Sequence, residues 1–87
     1  MPKSVGRQFP TRDVDVGNRH LDLDTGLIYR YLGGDPTSLL NWLVDGGTST
    51  ADPDTTGWDS RQAGARFYNS TLQAFRVWNG SSFDSQS

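Results

Sequence analysis

Residues 65–83, ARFYNSTLQAFRVWNGSSF, decide the fold of this chain. Arg66-Phe67-Tyr68 leads into the turn-forming Asn69-Ser70-Thr71, and residues 72–78 return with aromatic and apolar side chains at alternate positions. This alternation is typical of strands with one buried face. Asn79-Gly80 follows, and both residue types adopt the positive φ that tight hairpin turns require. The stretch therefore predicts a β-hairpin over residues 64–83 that turns again toward Phe83.

A second hairpin is predicted over residues 18–34. Leu21 and Leu23 alternate with aspartates, Asp24-Thr25-Gly26 supplies a turn, and an aromatic return strand over 27–32 ends at Gly33-Gly34. The two hairpins parallel each other, because each is a polar turn, an aromatic strand with one arginine and a glycine-containing turn, which ends at Gly34 in the first and at Gly80 in the second. One such unit cannot bury its own apolar face, so the repeat predicts two hairpin units packed as a small sandwich.

The remaining segments connect or flank the hairpins. Asp35-Pro36 predicts a short helical turn over 36–40, followed by a strand over 41–44. Residues 46–62 are mostly Gly, Thr, Ser, Asp and Pro and predict one long loop. Trp58 lies in its midst, and we expect this large side chain to pack against the core or a neighbouring protein. Residues 84–87 are predicted to be a polar tail.

Residues 1–17 predict an extended N-terminal arm. They hold two prolines, two glycines and a single aromatic residue, Phe9, and the first twelve carry Lys3, Arg7 and Arg12 without any acidic residue. The alternation at Val14-Asp15-Val16 predicts that the arm ends in a short edge strand. The domain division is thus an arm over 1–17, a β domain over 18–83 and the tail.

Composition bounds the function. Ten Asp without Glu, seven Arg against one Lys and only four Ala exclude a helical bundle and favour an all-β fold. The absence of cysteine excludes disulfides and cysteine-ligated zinc, and the net charge of −2 argues against a nucleic-acid partner. No apolar run reaches the roughly 20 residues that cross a membrane as a helix. We therefore predict no cofactor, no metal and no membrane partner, with oligomerisation or docking as the means of stabilisation.

Two motifs have catalytic or metal-binding alternatives. Asp24-Thr25-Gly26 matches the triplet of dimeric aspartic proteases, but Leu27 follows where a small residue is usual, and a plain turn is the preferred interpretation. Residues 52–59 have the oxygen-rich spacing of a calcium loop, yet Ala63 stands at the position of the last carboxylate. A third alternative is a carbohydrate-binding module that stacks sugars on aromatic residues. Because the chain is poor in aliphatic residues, we expect the aromatic side chains to form the core instead.

Residues 65–83 also resemble a β-hairpin module that recurs in virion proteins of tailed bacteriophages. That module has aromatic-Tyr-Asn-Ser-Thr, then Arg-Val-aromatic, Asn-Gly and a further aromatic residue. Residues 21–31, LDLDTGLIYRY, are similar to a companion form in which a Thr-Gly turn precedes an aromatic strand. The resemblance covers about half of the chain and implies a non-enzymatic structural protein of the virion, made in the host cytoplasm. It implies no catalytic residues.

Composition and resemblance together predict a capsid decoration, or cement, protein. Its expected partner is the major capsid protein, bound at subunit junctions by a homo-oligomer such as a trimer. Arg7, Phe9 and Arg12 of the arm are the predicted contacts to an acidic capsid surface, and Trp58 is a second anchor. The alternative within the same family is a tail fibre or baseplate accessory protein whose hairpins face a receptor.

Overall fold

The structure is a computed structural model that describes residues 3–6, 8–11 and 13–86. The described chain is all-β, as predicted, and its seven strands are neighbours in space in the order in which they occur in the sequence. Two single-turn 3₁₀ helices, Leu39–Asn41 and Ser60–Gln62, lie between strands. The strands are β1 (Lys3–Gly6), β2 (Arg19–Asp22), β3 (Leu27–Tyr31), β4 (Trp42–Ser49), β5 (Arg66–Asn69), β6 (Ala74–Trp78) and β7 (Phe83–Gln86).

Both predicted hairpins are present, but they belong to one continuous sheet instead of a sandwich. β2 pairs antiparallel with β3, β3 with β4, β5 with β6 and β6 with β7. β1 pairs in parallel with β2, and β4 in parallel with β5. Parallel neighbours require a connection of a dozen or more residues, and segments 7–18 and 50–65 provide it. We call these two segments the crossover connections.

The predicted N-terminal arm is not confirmed. β1 lies within it and occupies one edge of the sheet, beside β2. The edge strand is therefore at residues 3–6, whereas residues 14–16, which were predicted to form it, lie in the first crossover connection and have no strand structure. The reason is that β1 extends the sheet by pairing with β2, a long-range contact that local alternation does not report.

The predicted long loop over 46–62 is not confirmed either, because its first four residues belong to β4. Gly46 and Gly47 have φ of 129° and 90°, and the pairing of β4 shifts register beside them, which is the signature of a bulge. The two glycines thus bend the strand without ending it. The 3₁₀ helix at the end of the loop is held by a capping box, in which Asp59 and Gln62 satisfy each other's backbone N–H groups.

The sheet is a tandem repeat of one backbone pattern. Gly17 donates to the carbonyl of Tyr31, and Gly64 donates to that of Trp78. Leu23 likewise donates to Gly6, as Ser70 does to Ser49. Donors 17 and 64, 23 and 70, and 32 and 79 are all separated by 47 residues. The first unit is therefore residues 3–44 and the second unit residues 45–86, with β4 supplying the last strand of one and the first strand of the other.

The repeat predicted from sequence is real, although its register differs by one residue in the return strands. The sequence pattern aligned the two glycines that follow them as Gly34 with Gly80, whereas the hydrogen bonds make Tyr31 equivalent to Trp78 and so Gly33 to Gly80. Backbone pairing, and not the number of aromatic residues, fixes this correspondence.

Most of the core lies on one face of the sheet, beneath the crossover connections, while Leu43, opposite Arg30, is buried on the other face. Its centre is Trp42, 1% exposed, whose indole Nε1 donates to the carbonyl of Pro36 over 3.0 Å. The buried apolar side chains are Leu27, Tyr29, Tyr31, Trp42, Leu43, Val44, Ala65, Phe67 and Trp78.

In the part of the chain that the structure describes, no helix is long and apolar enough to cross a membrane.

Candidate binding face

The alternation of side chains along each strand gives the sheet two different faces. His20 in β2, Tyr29 in β3 and Phe67 in β5 are buried on the core face. Residues between them in sequence point to the opposite side, which we call the outer face. Aromatic side chains of both crossover connections pack against the core face, so the outer face is the side of the sheet on which strand residues remain open to a partner.

A charged cluster lies at the middle of the outer face. Asp45 of β4 is within 3.1 Å of an Nη of Arg19, 3.2 Å of the Nε of Arg66 and 3.6 Å of the Nε of Arg30. The three arginines come from β2, β3 and β5, and strand register brings them together, because Arg19 is opposite Arg30 and Asp45 is opposite Arg66. We call these four residues the arginine cluster.

The arginine cluster has more positive than negative charge. Three guanidinium groups face one carboxylate, which leaves two positive charges unbalanced within the cluster. The side chain of Asp45 is 11% exposed, whereas those of Arg19, Arg30 and Arg66 are 47%, 42% and 65% exposed. The carboxylate is thus nearly buried among guanidinium side chains that reach solvent. The unbalanced positive charge lies at the surface, where an anion can approach it.

An apolar row runs across the outer face beside the cluster. Val5 is opposite Leu21, and Leu21 is opposite Ile28, in the first unit. In the second unit Tyr68 is opposite Phe75, and their rings meet edge to face at 5.1 Å. Phe75 is 58% exposed and Val5 63%. Leu21, Ile28 and Tyr68 between them are only partly exposed, so the apolar surface is open mainly at the two ends of the row. Since exposed apolar surface commonly marks interaction sites, this row and the arginine cluster form the candidate binding face.

Phe9, a predicted partner contact, packs against the chain's own core. Its ring lies 4.4 Å from that of His20, 4.8 Å from Tyr29 and 5.2 Å from Trp42, measured between centroids. The side chain is only partly buried, and its remaining surface lines an open cleft of about 400 Å³ together with Pro36 and others. A partner contact at Phe9 stays a prediction, limited to this remaining surface.

Trp58 has the corresponding place in the second unit. Its ring is 5.2 Å from Trp78 and 5.7 Å from Phe83, in edge-to-face geometry. Of the two alternatives predicted for this residue, the structure shows packing on its own core, and a contact to a neighbouring protein stays a prediction. The other two predicted contacts, Arg7 and Arg12, lie outside the described residues.

The alternative sites identified in the sequence have structural roles. Asp24, in the turn between β2 and β3, donates its backbone N–H to the carboxylate of Asp22, and Asp22 also accepts from the hydroxyl of Thr25. Asp52, the first residue of the calcium-like loop, pairs instead with Arg76 at 2.8 Å. Among the described residues no group of three or more His, Asp or Glu side chains is arranged to hold a metal ion.

The surroundings of Tyr29 and of Asp52 shift the pKa values of their side chains. Burial, aided by the negative charge of Asp22, raises the pKa of Tyr29 to about 12. The hydrogen bond from Arg76 holds the pKa of Asp52 below its ordinary value, although burial acts in the opposite direction. Neither group lies on the outer face, so neither shift bears on the arginine cluster.

Sequence reasoning did not find the arginine cluster, because its members lie at positions 19, 30, 45 and 66 and share no local pattern. The signal that could have found them is the repeat itself: with a separation of 47 residues, Arg19 and Arg66 are equivalent and face the same side of the sheet.

Comparison of the chain with protein-family models, with curated proteins and with solved structures found no match.

Proposed function

We propose that this chain is a non-catalytic structural protein of a tailed-phage virion, acting as a capsid decoration protein. It binds the major capsid protein at subunit junctions, as a homo-oligomer such as a trimer. The observation that carries the proposal is the division of the sheet into a closed core face and an open outer face. Such a sheet offers a broad binding surface.

The resemblance of the hairpins to phage modules gives the proposal its setting. Residues 65–83 form β5, β6 and the turn into β7, and residues 21–31 contain the turn between β2 and β3. Both stretches therefore have the hairpin form that the resemblance implies. A protein that binds many copies of a capsid subunit stabilises the assembled shell by mass action, without any chemical step.

A tail fibre or baseplate accessory protein is the second candidate. The Tyr68–Phe75 pair favours it, because the exposed ring of Phe75, supported by the half-buried ring of Tyr68, is suited to contact a receptor. This candidate shares the same fold and outer face, and it differs only in the location of the protein on the particle.

The test is to locate the chain on phage particles. Antibodies raised against the purified chain are used for immunoblots of gradient-purified virions and for immunogold electron microscopy. Label distributed over the head is the expected result, and label confined to the tail would establish the second candidate instead. Absence of the chain from purified particles, while it is present in the infected-cell lysate, would overturn the proposed function.

A further inference from the structure

We propose that the candidate binding face takes an acidic segment of a partner protein, with a partner carboxylate bound by the arginine cluster. The inference rests on the proposed function only in that the chain acts by binding. The partner presents a carboxylate next to apolar side chains. The charge contact lies at the middle of the sheet, whereas the sequence predicted it in the N-terminal segment.

Geometry favours a carboxylate as the group bound. The planar guanidinium of arginine presents N–H donors in a fork that matches a carboxylate, and charge-assisted hydrogen bonds of this kind are the strong ones. Asp45 already shows the chemistry, because three guanidinium groups reach its two oxygens. The Nε of Arg30 has the longest of these distances, 3.6 Å, and is itself buried without a hydrogen-bond partner, so a partner carboxylate would meet the exposed remainder of this side chain, which is 42% exposed.

The surroundings favour a protein segment over a nucleic acid. Arg30 and Ile28 lie two positions apart on one face of β3, and Arg66 and Tyr68 likewise on β5, so each charge adjoins an apolar side chain. Asp45 at the centre of the cluster and the chain's net charge of −2 both oppose a run of phosphates. An isolated carboxylate flanked by apolar residues matches the face on both counts.

The test uses the isolated full chain, labelled with ¹⁵N, and the blocked peptide Ac-Leu-Asp-Phe-Asp-Leu-NH₂ as the probe. The arginine Nε–Hε resonances are followed during titration. We expect those of Arg19, Arg30 and Arg66 to shift together with one dissociation constant, while that of Arg61 stays in place. Arg61 lies in the second crossover connection, where it contacts Asn41.

Matched variants make the charge argument quantitative. Arg66→Gln is expected to weaken binding by up to about fivefold, since one exposed charge pair contributes up to about 1 kcal/mol. Arg61→Gln removes the same charge elsewhere and should leave the dissociation constant unchanged. Asp45→Asn removes the competing carboxylate and should strengthen binding by a similar factor. Amide spectra of each variant verify that the sheet is intact.

Several results would overturn the inference. Equal binding of the Asn-for-Asp peptide would show that the face recognises only apolar groups. Tighter binding of a ten-residue thymidine oligonucleotide would assign the cluster to nucleic acid. No shift at millimolar peptide, or concentration-dependent shifts of the same resonances without peptide, would leave no role for an acidic partner. These outcomes are independent of whether the chain is found on virions, so the two proposals can fail separately.

Discussion

The first and second units share a backbone hydrogen-bonding pattern but fill equivalent positions with different side chains. Trp42 and Phe83 occupy equivalent positions. Trp42 follows Asn41, whose carbonyl accepts a hydrogen bond from the N–H of Leu32, and Phe83 follows Ser82, whose carbonyl accepts one from the N–H of Asn79. His20 and Phe67 are equivalent, and they contact those rings at 6.5 Å and 5.5 Å respectively. The comparison shows that backbone pairing specifies this fold, while side chains determine how stable each unit is and what its outer face can bind.

The largest expected effect is at the aromatic residue that begins the fourth and last strand of each unit, Trp42 in β4 and Phe83 in β7. Trp42→Ala should destabilise the chain by about 4 kcal/mol, because the side chain is 1% exposed and contacts Phe9 and Tyr31. Phe83→Ala should cost about half as much, since Phe83 is only partly buried in the last strand. Urea denaturation followed by circular dichroism measures both. Equal losses would show that the two units contribute equally to the core.

The second difference between the units lies in the turn between the second and third strands of each. Gly26, with φ of 81°, has no room for a side chain, since a Cβ would overlap the carbonyl oxygen of Thr48. Its equivalent is Gln73, which has φ of 54°. Gly26→Ala should therefore cost about 2–3 kcal/mol from backbone strain and overlap.

The matched change, Gln73→Gly, relieves the strained φ but adds freedom to the unfolded chain, so its net effect should lie within about 1 kcal/mol of zero. The difference arises because the first turn packs against β4 at the junction of the units, whereas the second turn has no following unit among the described residues. A large loss from Gln73→Gly would contradict the equivalence of the two turns.

Phe9 and Trp58 test whether the aromatic residues of the crossover connections belong to the core or to a partner contact. Phe9→Ala and Trp58→Ala should each lower the free energy of unfolding by about 2 kcal/mol, less than the 3–5 kcal/mol typical of fully buried aromatic residues. Binding of the acidic peptide to the folded variants should be unchanged. Full stability together with a loss of particle binding would restore these residues as docking anchors.

The sequence sufficed for the elements that depend on local chemistry. Turn residues and alternation predicted β2 with β3 and β5 with β6, since a hairpin closes over a few residues. The parallel pairing of β1 with β2 and the extension of β4 through Gly46-Gly47 depend on long-range contacts, and both were missed. The arginine cluster was missed for the same reason, because Arg19 and Arg66 meet at Asp45 only after β4 has paired with β3 on one side and in parallel with β5 on the other. For Trp58 the sequence left open packing on its own core or on a neighbour, and the structure shows the former. Phe9 was predicted only as a partner contact, and its packing on the core was not foreseen, because local sequence does not tell whether an aromatic residue packs on its own chain or on a partner.

Tyr29 and Arg76 occupy equivalent positions in the two units. Stability should depend on Tyr29 at alkaline pH and on the ion pair between Arg76 and Asp52 at acid pH. The raised pKa of Tyr29, about 12, means that its contribution to stability is fully present below about pH 10, the ordinary value, and is lost as the pH rises toward 12. Thermal melts at alkaline pH should show this loss, and Tyr29→Phe should remove it. An unchanged alkaline profile in Tyr29→Phe would assign the loss to other groups.

The smallest effect is expected from the second unit at acid pH. The lowered pKa of Asp52 means that its ion pair with Arg76 is fully effective above pH 3.8, the ordinary value, and is lost as the pH falls through the lower value of the folded state. The side chain of Asp52 is 32% exposed, so solvent screens the pair and the loss is small. Asp52→Asn should flatten the acid side of the melting-temperature profile and leave the alkaline side intact. Because Tyr29→Phe should do the reverse, the two profiles together test whether one repeated position has been given two different electrostatic roles.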